Sequence, residues 1–523
     1  MSKNPTALAK RVFYTALIVA STCYPTAQAQ SPNSVKPGAS SQILPNLGDG
    51  SDMTTSDERR MGDRIAREIF RDPDYIDDPL LMEYVQSIWQ PLLAAARLRG
   101  EITPELDERF AWEVILGRDR SVNAFALPGG YFGLHLGLLA VVGNRDELAS
   151  VLGHELSHVT QRHISRLIAK QAATTPWMIG AMILGALAAS KNPQAGSALM
   201  VGGQAVAAQS QLNFSRDMER EADRVGFGVM TQAGFEPLGF VTMFDKLAQA
   251  SRHNDSGSYP YLRSHPLTTE RIADMQGRLP AATASVAPLP SLEHAMLAAR
   301  ARVLSDTSVD ALREWGVLAA SSGLDGASLN QQASTLYGAA VAAGRLRDFA
   351  AARRHQERLD AITGQDGRAA RLVRLLGAEL ALSNDDPQKA LVLVQMPQAA
   401  PARPELLLVT QAQIRSGQAK EAAQALQSWV AVHPRDAQAW QLLSGAQSAD
   451  GQRLGAIRSD AEAKVAHMDY AAAQDRFKAA QALARDLARN PNGAGTANEI
   501  EAAIIDTRSR QIALLLREQA LER

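Results

Sequence analysis

The sequence predicts an α+β fold that is mostly α-helical, with a small β-sheet in its first domain and an all-helical second domain. Short apolar segments bounded by Gly and Pro in the first third of the chain indicate a few strands. Elsewhere apolar residues recur with the period of a helix, and Ala recurs throughout the C-terminal half. With 523 residues, the chain is long enough for about two to four domains.

Composition and charge exclude several functional classes. Hydrophobic residues make up 46% and charged residues 21%, as in ordinary globular proteins. Lys and Arg number 54 and Asp and Glu 55, so no basic field is present and we expect no nucleic-acid partner. No uninterrupted apolar run reaches the ~20 residues that a spanning helix needs, which argues against a multi-span membrane protein.

The N-terminal segment, residues 1–29, has the features of a secretory signal peptide. A basic start, an apolar stretch and a small-residue cleavage site near Ala29 follow one another. Two alternatives stay open, an uncleaved N-terminal anchor and a lipid anchor at Cys23, the single cysteine. Export without disulfides suits a bacterial periplasm. Residues 30–52, rich in Ser, Pro, Gly and Asn, are predicted to be a flexible lead-in.

Residues 53–280 are predicted to form one domain that contains the sheet. The pattern places strands at 112–116, 124–127 and 131–134, with a Pro-Gly-Gly turn before the last. The apolar period then predicts helices at 146–167, 213–233 and 237–250.

Two apolar stretches of small residues, 177–189 and 195–208, interrupt this domain. Each is shorter than a membrane span, so we expect a helical hairpin. Either this hairpin is a lid packed on the domain, or the region 176–208 touches a membrane or a partner peripherally.

The C-terminal part is predicted to be a repeat domain over 305–523, joined through a linker over 281–304. Three similar Ala-rich stretches recur at intervals of 39 and 33 residues, near the 34 of tetratricopeptide repeats. Stacks of this kind present concave surfaces to peptides or proteins. Degenerate Ala-rich helical pairs are the alternative.

The strongest chemical signal is a His-Glu-x-x-His motif formed by His154, Glu155 and His158. Residues four apart on a helix share one face, so the two imidazoles can bind one Zn²⁺ from the same side. Glu155 points in another direction and is placed to take a proton from the attacking water. The motif therefore predicts a catalytic metal site.

A second helix supplies candidates for the third ligand that a catalytic zinc site requires. Glu219 and Asp223 lie one turn apart, so both can face the first helix. We expect Glu219 to be the ligand and Asp223 to accept the other ring N–H of a ligand histidine. Glu221, between them, is expected to point away. The alternative is that this acidic run is only a solvated helix face.

Two further histidines are treated differently. His163 lies five residues past His158 and is expected to turn away from the ligand face, to the surface or to a second layer. His265 precedes Pro266, which disfavours helix and indicates a loop. If that loop reaches the metal, His265 would fill the fourth position and inhibit the enzyme. Alternatively, it caps the next helix or bonds nearby.

These residues resemble those of the zinc metallopeptidases related to HtpX and the CAAX prenyl protease. The shared pattern is His154-Glu155-x-x-His158, Glu219-x-x-Ala222-Asp223 and Asn123-Ala124-Phe125-Ala126-x-Pro128-Gly129-Gly130. The resemblance implies a zincin-like domain with one Zn²⁺ per subunit. Segments 159–163, 176–208 and 264–267, with the repeats, are most similar to periplasmic members that act in outer-membrane β-barrel assembly.

That narrower resemblance implies a periplasmic zinc endopeptidase and chaperone that degrades misassembled β-barrel proteins. Its partners would be unfolded or misassembled outer-membrane β-barrel proteins, with the repeats docking the barrel-assembly machinery. It also implies that His265 acts as a switch.

The strand formed by Asn123, Ala124, Phe125 and Ala126 is expected to bind extended substrate through its edge, although it would equally suit an ordinary sheet. Two competing hypotheses are kept. One is a non-catalytic repeat scaffold and chaperone in which a closed zinc site only stabilises the fold. The other is a membrane-embedded prenyl-type protease, against which the absence of spanning segments counts.

Overall fold

The computed structural model describes residues 53–170, 215–252, 259–279, 291–394, 402–489 and 496–521, which are mostly helical with one small sheet. The predicted fold class is therefore confirmed. The predicted signal peptide, the flexible lead-in and the apolar stretches 177–189 and 195–208 lie outside the described residues.

The sheet has three strands, β1 (Glu113–Gly117), β2 (Ala124–Leu127) and β3 (Tyr131–His135), in the order β1-β3-β2. The central strand β3 pairs parallel with β1 and antiparallel with β2. The predicted strands and their Pro-Gly-Gly turn are present. The turn needs glycine, because Gly129 has a φ of 72° and an added Cβ would lie 2.7 Å from Cα of Arg59.

The first domain places its helices around this sheet. They are α1 (Thr55–Arg71), α2 (Pro79–Leu98), α3 (Pro104–Arg109), α4 (Leu136–Val141), α5 (Arg145–Thr160), α6 (His163–Lys170), α7 (Arg216–Gln232), α8 (Leu238–Arg252), α9 (Tyr261–Ser264) and α10 (Thr269–Gly277). Helix α2 starts with an Asp78 cap on the N–H of Leu81 and has Pro79 in its first turn. Its Trp89 packs on Phe132 of the sheet, with ring centroids 4.5 Å apart.

Helices α5 and α7 approach each other through two glycines. A Cβ added at Gly226 would lie 2.9 Å from backbone atoms of Gly153 and from the N atom of His154. Side chains normally hold packed helices about 8–10 Å apart, so the glycine pair permits a closer contact. That contact brings the acidic face of α7 against the histidines of α5.

The single helix predicted over 146–167 is wrong, because the chain breaks between α5 and α6. Arg162 has a φ of 52°, in the left-handed region that non-glycine residues seldom adopt. Its guanidinium donates hydrogen bonds of 2.9 and 3.1 Å to Glu58 of α1, and these bonds offset the conformational strain of the left-handed backbone. The break re-aims every side chain that follows it.

The second half of the chain is a succession of helices. They are α11 (Leu292–Ser305), α12 (Val309–Ala319), α13 (Leu329–Arg345), α14 (Phe349–Thr363), α15 (Gly367–Ser383), α16 (Pro387–Leu393), α17 (Arg403–Arg415), α18 (Ala419–Val432), α19 (Ala437–Ala449), α20 (Arg453–Ala466), α21 (Tyr470–Arg489) and α22 (Thr496–Leu521). From α12 onward each helix packs on the next, as in a helical repeat array. The tetratricopeptide assignment and the exact domain limits stay predictions.

Helix α11 replaces the second half of the linker predicted over 281–304. It is capped by Ser291 and packs between α4 of the first domain and α13 of the repeats. Its Arg300 is 7% exposed and bonds Asp78 at 2.7 Å and Glu379 at 2.9 Å. Because Asp78 caps α2 and Glu379 lies on α15, this helix joins the two parts of the molecule.

Three arginines of the repeat region, 32 residues apart in sequence, contact acidic residues of the first domain. Arg371 bonds Glu83 at 2.7 Å and Glu405 at 2.6 Å. Arg403 bonds Asp77 at 2.6 Å and Asp436 at 2.8 Å, and Arg435 pairs with Glu113. A series of ion pairs therefore docks the repeats on the first domain.

Among the helices that the structure describes, none is long and apolar enough to cross a membrane.

Candidate active site

Helix α5 carries the two histidines of the motif in its buried interior. It begins at Asn144, whose side chain accepts hydrogen bonds from the N–H groups of Asp146 and Glu147. His154 and His158 follow on one face, both fully covered, with their Nε2 atoms 3.0 Å apart. The predicted juxtaposition of these two imidazoles is present in the structure.

Glu219 of α7 completes a three-residue group with them. One of its oxygens lies 3.5 Å from Nε2 of His154 and the other 3.4 Å from Nε2 of His158. The side chain is 1% exposed, so this carboxylate is aimed into the site rather than into solvent. The alternative of a solvated acidic face is therefore wrong for Glu219.

His265, in the loop between α9 and α10, enters the same site. Its Nδ1 lies 3.1 Å from Glu219 and 3.3 Å from Nε2 of His154. One ligand atom from each of His154, His158, Glu219 and His265 lies within 4.8 Å of the others. The alternative of a mere helix cap is wrong, because Thr268 caps α10 instead.

The charges of the site suit a divalent cation. Glu155, Glu219 and Asp223 bring three carboxylates, and Arg271 is the one guanidinium between them, all 4% exposed or less. A formal charge of −2 would remain buried without a cation, which is costly. Imidazole and carboxylate donors at this separation fit the ligand set of zinc.

The pKa values of the two motif histidines shift in opposite directions. Burial lowers the pKa of His154, but its contacts with Asp223 and Glu219 outweigh burial and raise it to about 9. Burial dominates at His158 and lowers its pKa well below the usual value. Burial opposes ionisation of Glu219, yet the surrounding histidines hold its pKa well below its usual range. The carboxylates around His154 thus favour a positive charge at this position.

Glu155 stands beside this group with its proton-accepting atoms uncommitted. Both carboxylate oxygens are buried and make no hydrogen bond within the described part of the chain. The nearest cation-forming atom is Nε2 of His265, at 3.5 Å. A buried carboxylate without a hydrogen bond is costly, and it is the arrangement that a general base awaiting water requires.

Asp223 lies behind His154 rather than among the reacting groups. Its Oδ1 is 2.9 Å from Nδ1 of His154, and Arg271 clamps both oxygens at 2.6 and 2.7 Å. The predicted approach of Asp223 to His154 is present, and its role in supporting a metal ligand stays a prediction. Sequence reasoning missed Arg271, which also pairs with Glu219 at 2.9 Å. In the sequence, the only signal is the position of Arg271 in the first turn of α10, and an arginine at the start of a helix does not by itself indicate a site residue.

His163 is fully buried in a second layer behind His158 and outside the group of four ligand atoms, so the predicted second-layer position is present and the surface position is wrong. The prediction assumed one continuous helix, whereas the break at Arg162 returns His163 to His158, with their Nδ1 atoms 2.9 Å apart. Glu221 does point away from the ligand group, as expected. It bonds Nε2 of His163 at 3.0 Å and Arg166 at 2.8 Å.

The predicted substrate strand lies at an edge of the sheet, beside α5. Within the residues that the structure describes, Ala124, Phe125 and Ala126 pair with β3 on one side and with no strand on the other. Asn123 is buried and its carbonyl accepts from the N–H of His135. The preceding carbonyl, of Val122, accepts from the N–H of Tyr261, whose ring stacks on His265 with centroids 4.7 Å apart. The edge therefore ends at the loop that carries His265.

Comparisons with known proteins agree with this geometry. The model of peptidase family M48 matches residues 79–279. The chain is 30% identical over 437 residues to the beta-barrel assembly-enhancing protease of Escherichia coli (strain K12), which covers 81% of this chain and 84% of that protein. A putative beta-barrel assembly-enhancing protease of Vibrio cholerae is 35% identical over 280 residues, 52% of this chain and 54% of that one. The chain therefore spans about half the length of the Vibrio relative.

A more distant relative matches a shorter part of the chain. The mitochondrial metalloendopeptidase OMA1 of Saccharomyces cerevisiae is 28% identical over 203 residues, which is 38% of this chain and 56% of that protein. Fold, site and relatives together define a metallopeptidase. The chain belongs to peptidase family M48, and within it to the group of the beta-barrel assembly-enhancing proteases.

Proposed function

We propose that the protein is a periplasmic zinc endopeptidase and chaperone that acts on unfolded or misassembled outer-membrane β-barrel proteins. The observation that carries the catalytic part is Glu155, whose buried carboxylate makes no hydrogen bond to any described residue and stands beside four potential metal ligands. The similarity to the E. coli and Vibrio proteins, which are named as beta-barrel assembly-enhancing proteases, supports a role in β-barrel assembly. The predicted signal peptide supports the periplasmic location.

His154, His158 and Glu219 would hold the zinc ion, with His265 as a fourth ligand in a resting state. When bound, zinc supplies Lewis-acid polarisation of the scissile carbonyl and acidifies the attacking water. Glu155 accepts a proton from that water as its oxygen attacks the carbonyl carbon. Glu155 then gives the proton to the amide nitrogen as the C–N bond breaks, which leaves a carboxylic acid and an amine.

His265 would make the resting enzyme latent. Its ring occupies the side of the site that faces Glu155, at 3.5 Å, where the attacking water must enter. Substrate or a partner must therefore move the loop between α9 and α10 before cleavage. The Tyr261 contact with the substrate strand supports this coupling, because strand addition there would disturb the His265 loop.

Substrate selection follows from the edge strand β2. An extended segment can add to Ala124, Phe125 and Ala126 through backbone hydrogen bonds without regard to its side chains. A folded protein cannot offer a bare strand, so unfolded or stalled chains are preferred. β-Barrel precursors are rich in such strands before they are assembled.

The helical repeats are proposed to dock the barrel-assembly machinery, because stacked helices present extended concave surfaces for proteins. Peripheral membrane contact through 176–208 belongs to the same proposal. The second candidate function is a scaffold with a structural metal site. The specific observation in its favour is that four protein ligands surround one point, as in closed structural zinc sites.

Glu155→Gln separates the two candidates, because the substitution removes the base and keeps the metal ligands. We expect the variant to bind zinc as the wild type does and to leave both casein and an unfolded outer-membrane barrel protein intact. The wild type should degrade them, and a chelator should stop it. The matched control is Glu357→Gln, an exposed carboxylate in the repeats.

His265→Ala tests the latent state. We expect faster cleavage of the same substrates and self-cleavage, with only modestly weaker zinc binding because three ligands remain. Equal hydrolysis by zinc-loaded wild type and Glu155→Gln would falsify the catalytic assignment. Absence of any cleavage in wild type and His265→Ala would favour the scaffold.

A further inference from the structure

The two histidines of the motif are held from behind in different ways. His154 contacts a carboxylate directly, whereas His158 contacts another histidine, His163, which in turn contacts Glu221. We propose that His163, anchored by Glu221, is a positioning residue that orients His158 toward the metal and fixes its tautomer. The inference rests on the metal site of the proposed function.

The contacts form a continuous chain from the ligand to the edge of the site. Nδ1 of His158 lies 2.9 Å from Nδ1 of His163, and Nε2 of His163 lies 3.0 Å from Oε2 of Glu221. Arg166 donates to the same oxygen at 2.8 Å. The histidine is fully covered, while Glu221 is 38% exposed, so the chain leads from the interior toward solvent.

The order of protons along this chain has one solution once His158 binds metal. Its Nε2 faces Glu219 and His154 and must be unprotonated to act as a ligand. Its Nδ1 then carries the proton and donates to Nδ1 of His163. Nε2 of His163 consequently carries a proton and donates to Glu221, whose carboxylate can only accept. Each donor on the path meets an acceptor.

Two features of the fold hold His163 and Glu221 in this arrangement: the helix break at Arg162 and the ion pair between Arg166 and Glu221. Without the break at Arg162, a residue five past His158 would face away from it; the left-handed backbone there returns His163 to the ligand. Arg166, one turn into α6, holds Glu221 of α7 in place. Groups behind metal-binding histidines typically change metal affinity 10–100-fold when removed, which sets the size of the expected effect.

Three substitutions test the inference. His163→Leu removes the acceptor and should weaken zinc binding about 10–100-fold. His163→Asn keeps an acceptor oxygen near the Nδ1 position and should recover most of that loss. Glu221→Gln keeps a weaker acceptor for His163 and should lose least. The matched control is His294→Leu, a buried histidine that bonds Tyr84 and Val142 away from the metal group.

Zinc affinity is measured by competition with a chelating dye, and the geometry at the metal by the visible absorption of the Co²⁺-loaded protein. We expect the Co²⁺ bands of His163→Leu to shift and those of His294→Leu to stay unchanged, even if both variants melt at lower temperature. If His163→Leu does not fold, His163→Gln takes its place: its amide oxygen lies near the Nε2 position and leaves Nδ1 of His158 without an acceptor, so the same loss of about 10–100-fold is expected.

Two results would overturn the inference. One is a zinc affinity of His163→Leu equal to that of His294→Leu; the other is wild-type affinity and Co²⁺ bands in every variant that folds. A wild-type protein that binds neither Zn²⁺ nor Co²⁺ would instead refute the metal site of the proposed function, so the two failures are distinct.

Discussion

Arginine–carboxylate pairs occur in two regions of this molecule, with different consequences. At the active site, Arg271 and Asp223 are 4% and 1% exposed, and Asp223 in turn contacts His154. At the junction with the repeats, the arginines are spaced along the chain, and Arg371 and Arg403 each bridge two acidic side chains, one from either part. The pair at the active site holds a candidate metal ligand in place. The pairs at the junction spread the contact between the two parts of the molecule over several positions.

The difference teaches where substitutions should act. Loss of a pair at the site leaves the fold with most of its contacts but misorients the groups that bind metal. Loss of a pair at the junction leaves the site unchanged but weakens the contact between the two parts. Metal affinity and thermal stability should therefore respond separately in the two regions.

The largest expected effect on stability is at Arg300, in the helix that joins the two parts. Arg300→Met leaves Asp78 and Glu379 without their buried partner. Removing one member of a buried ion pair costs about 3–5 kcal/mol. Denaturant unfolding followed by circular dichroism measures the loss, and zinc affinity should stay at the wild-type value. A stability within experimental error of wild type would contradict the joining role of α11.

Asp223→Asn should act on the other side of the comparison. The amide cannot accept from His154 and satisfy Arg271 as the carboxylate does, so zinc affinity should fall about 10–100-fold. Cleavage should fall with it at limiting zinc and recover partly when zinc is raised. Competition with a chelating dye measures the affinity. Unchanged affinity together with reduced stability would show that Asp223 belongs with the structural pairs.

Arg403→Lys sharpens the junction half of the comparison, because it keeps the charge and loses the forked geometry. Arg403 makes paired contacts with both Asp77 and Asp436, which lysine cannot reproduce. We expect a loss of about 1 kcal/mol in the free energy of unfolding relative to wild type. Equal stability of the two proteins in guanidinium and urea titrations would argue against bidentate docking.

The smallest effect is expected at Arg435, whose side chain is 50% exposed in its pair with Glu113. Exposed pairs contribute about 0–1 kcal/mol, so Arg435→Gln should melt within a degree or two of wild type. Differential scanning calorimetry of Arg300→Met, Arg403→Lys and Arg435→Gln side by side should rank them in that order. A reversed order would show that burial does not control the strength of the junction.

Much of the site could be predicted from sequence because its signals are local. The i, i+4 spacing of His154 and His158 fixes their common face, and Glu219 with Asp223 repeats the same geometry on a second helix. The strands were equally local, since turn residues bound each short apolar run.

What sequence could not supply depends on contacts between distant segments. The helix break at Arg162 is stabilised by Glu58, about one hundred residues earlier, and no pattern near residue 162 announces it. Without the break His163 cannot be placed. The helix that begins at Leu292 was hidden by the Ala- and Pro-rich stretch before it, although its Arg300 joins two domains.

The contact between Gly153 and Gly226 sets the width of the candidate metal site, because neither residue has a side chain to hold the two helices apart. His154 and His158 lie on α5 and Glu219 lies on α7. The gap between these two backbones therefore sets the distance between the candidate ligands. Even a methyl group at Gly226 would force the helices apart. Such a shift would carry Glu219 away from His154 and His158, so two residues without side chains keep the three candidate ligands within reach of one another.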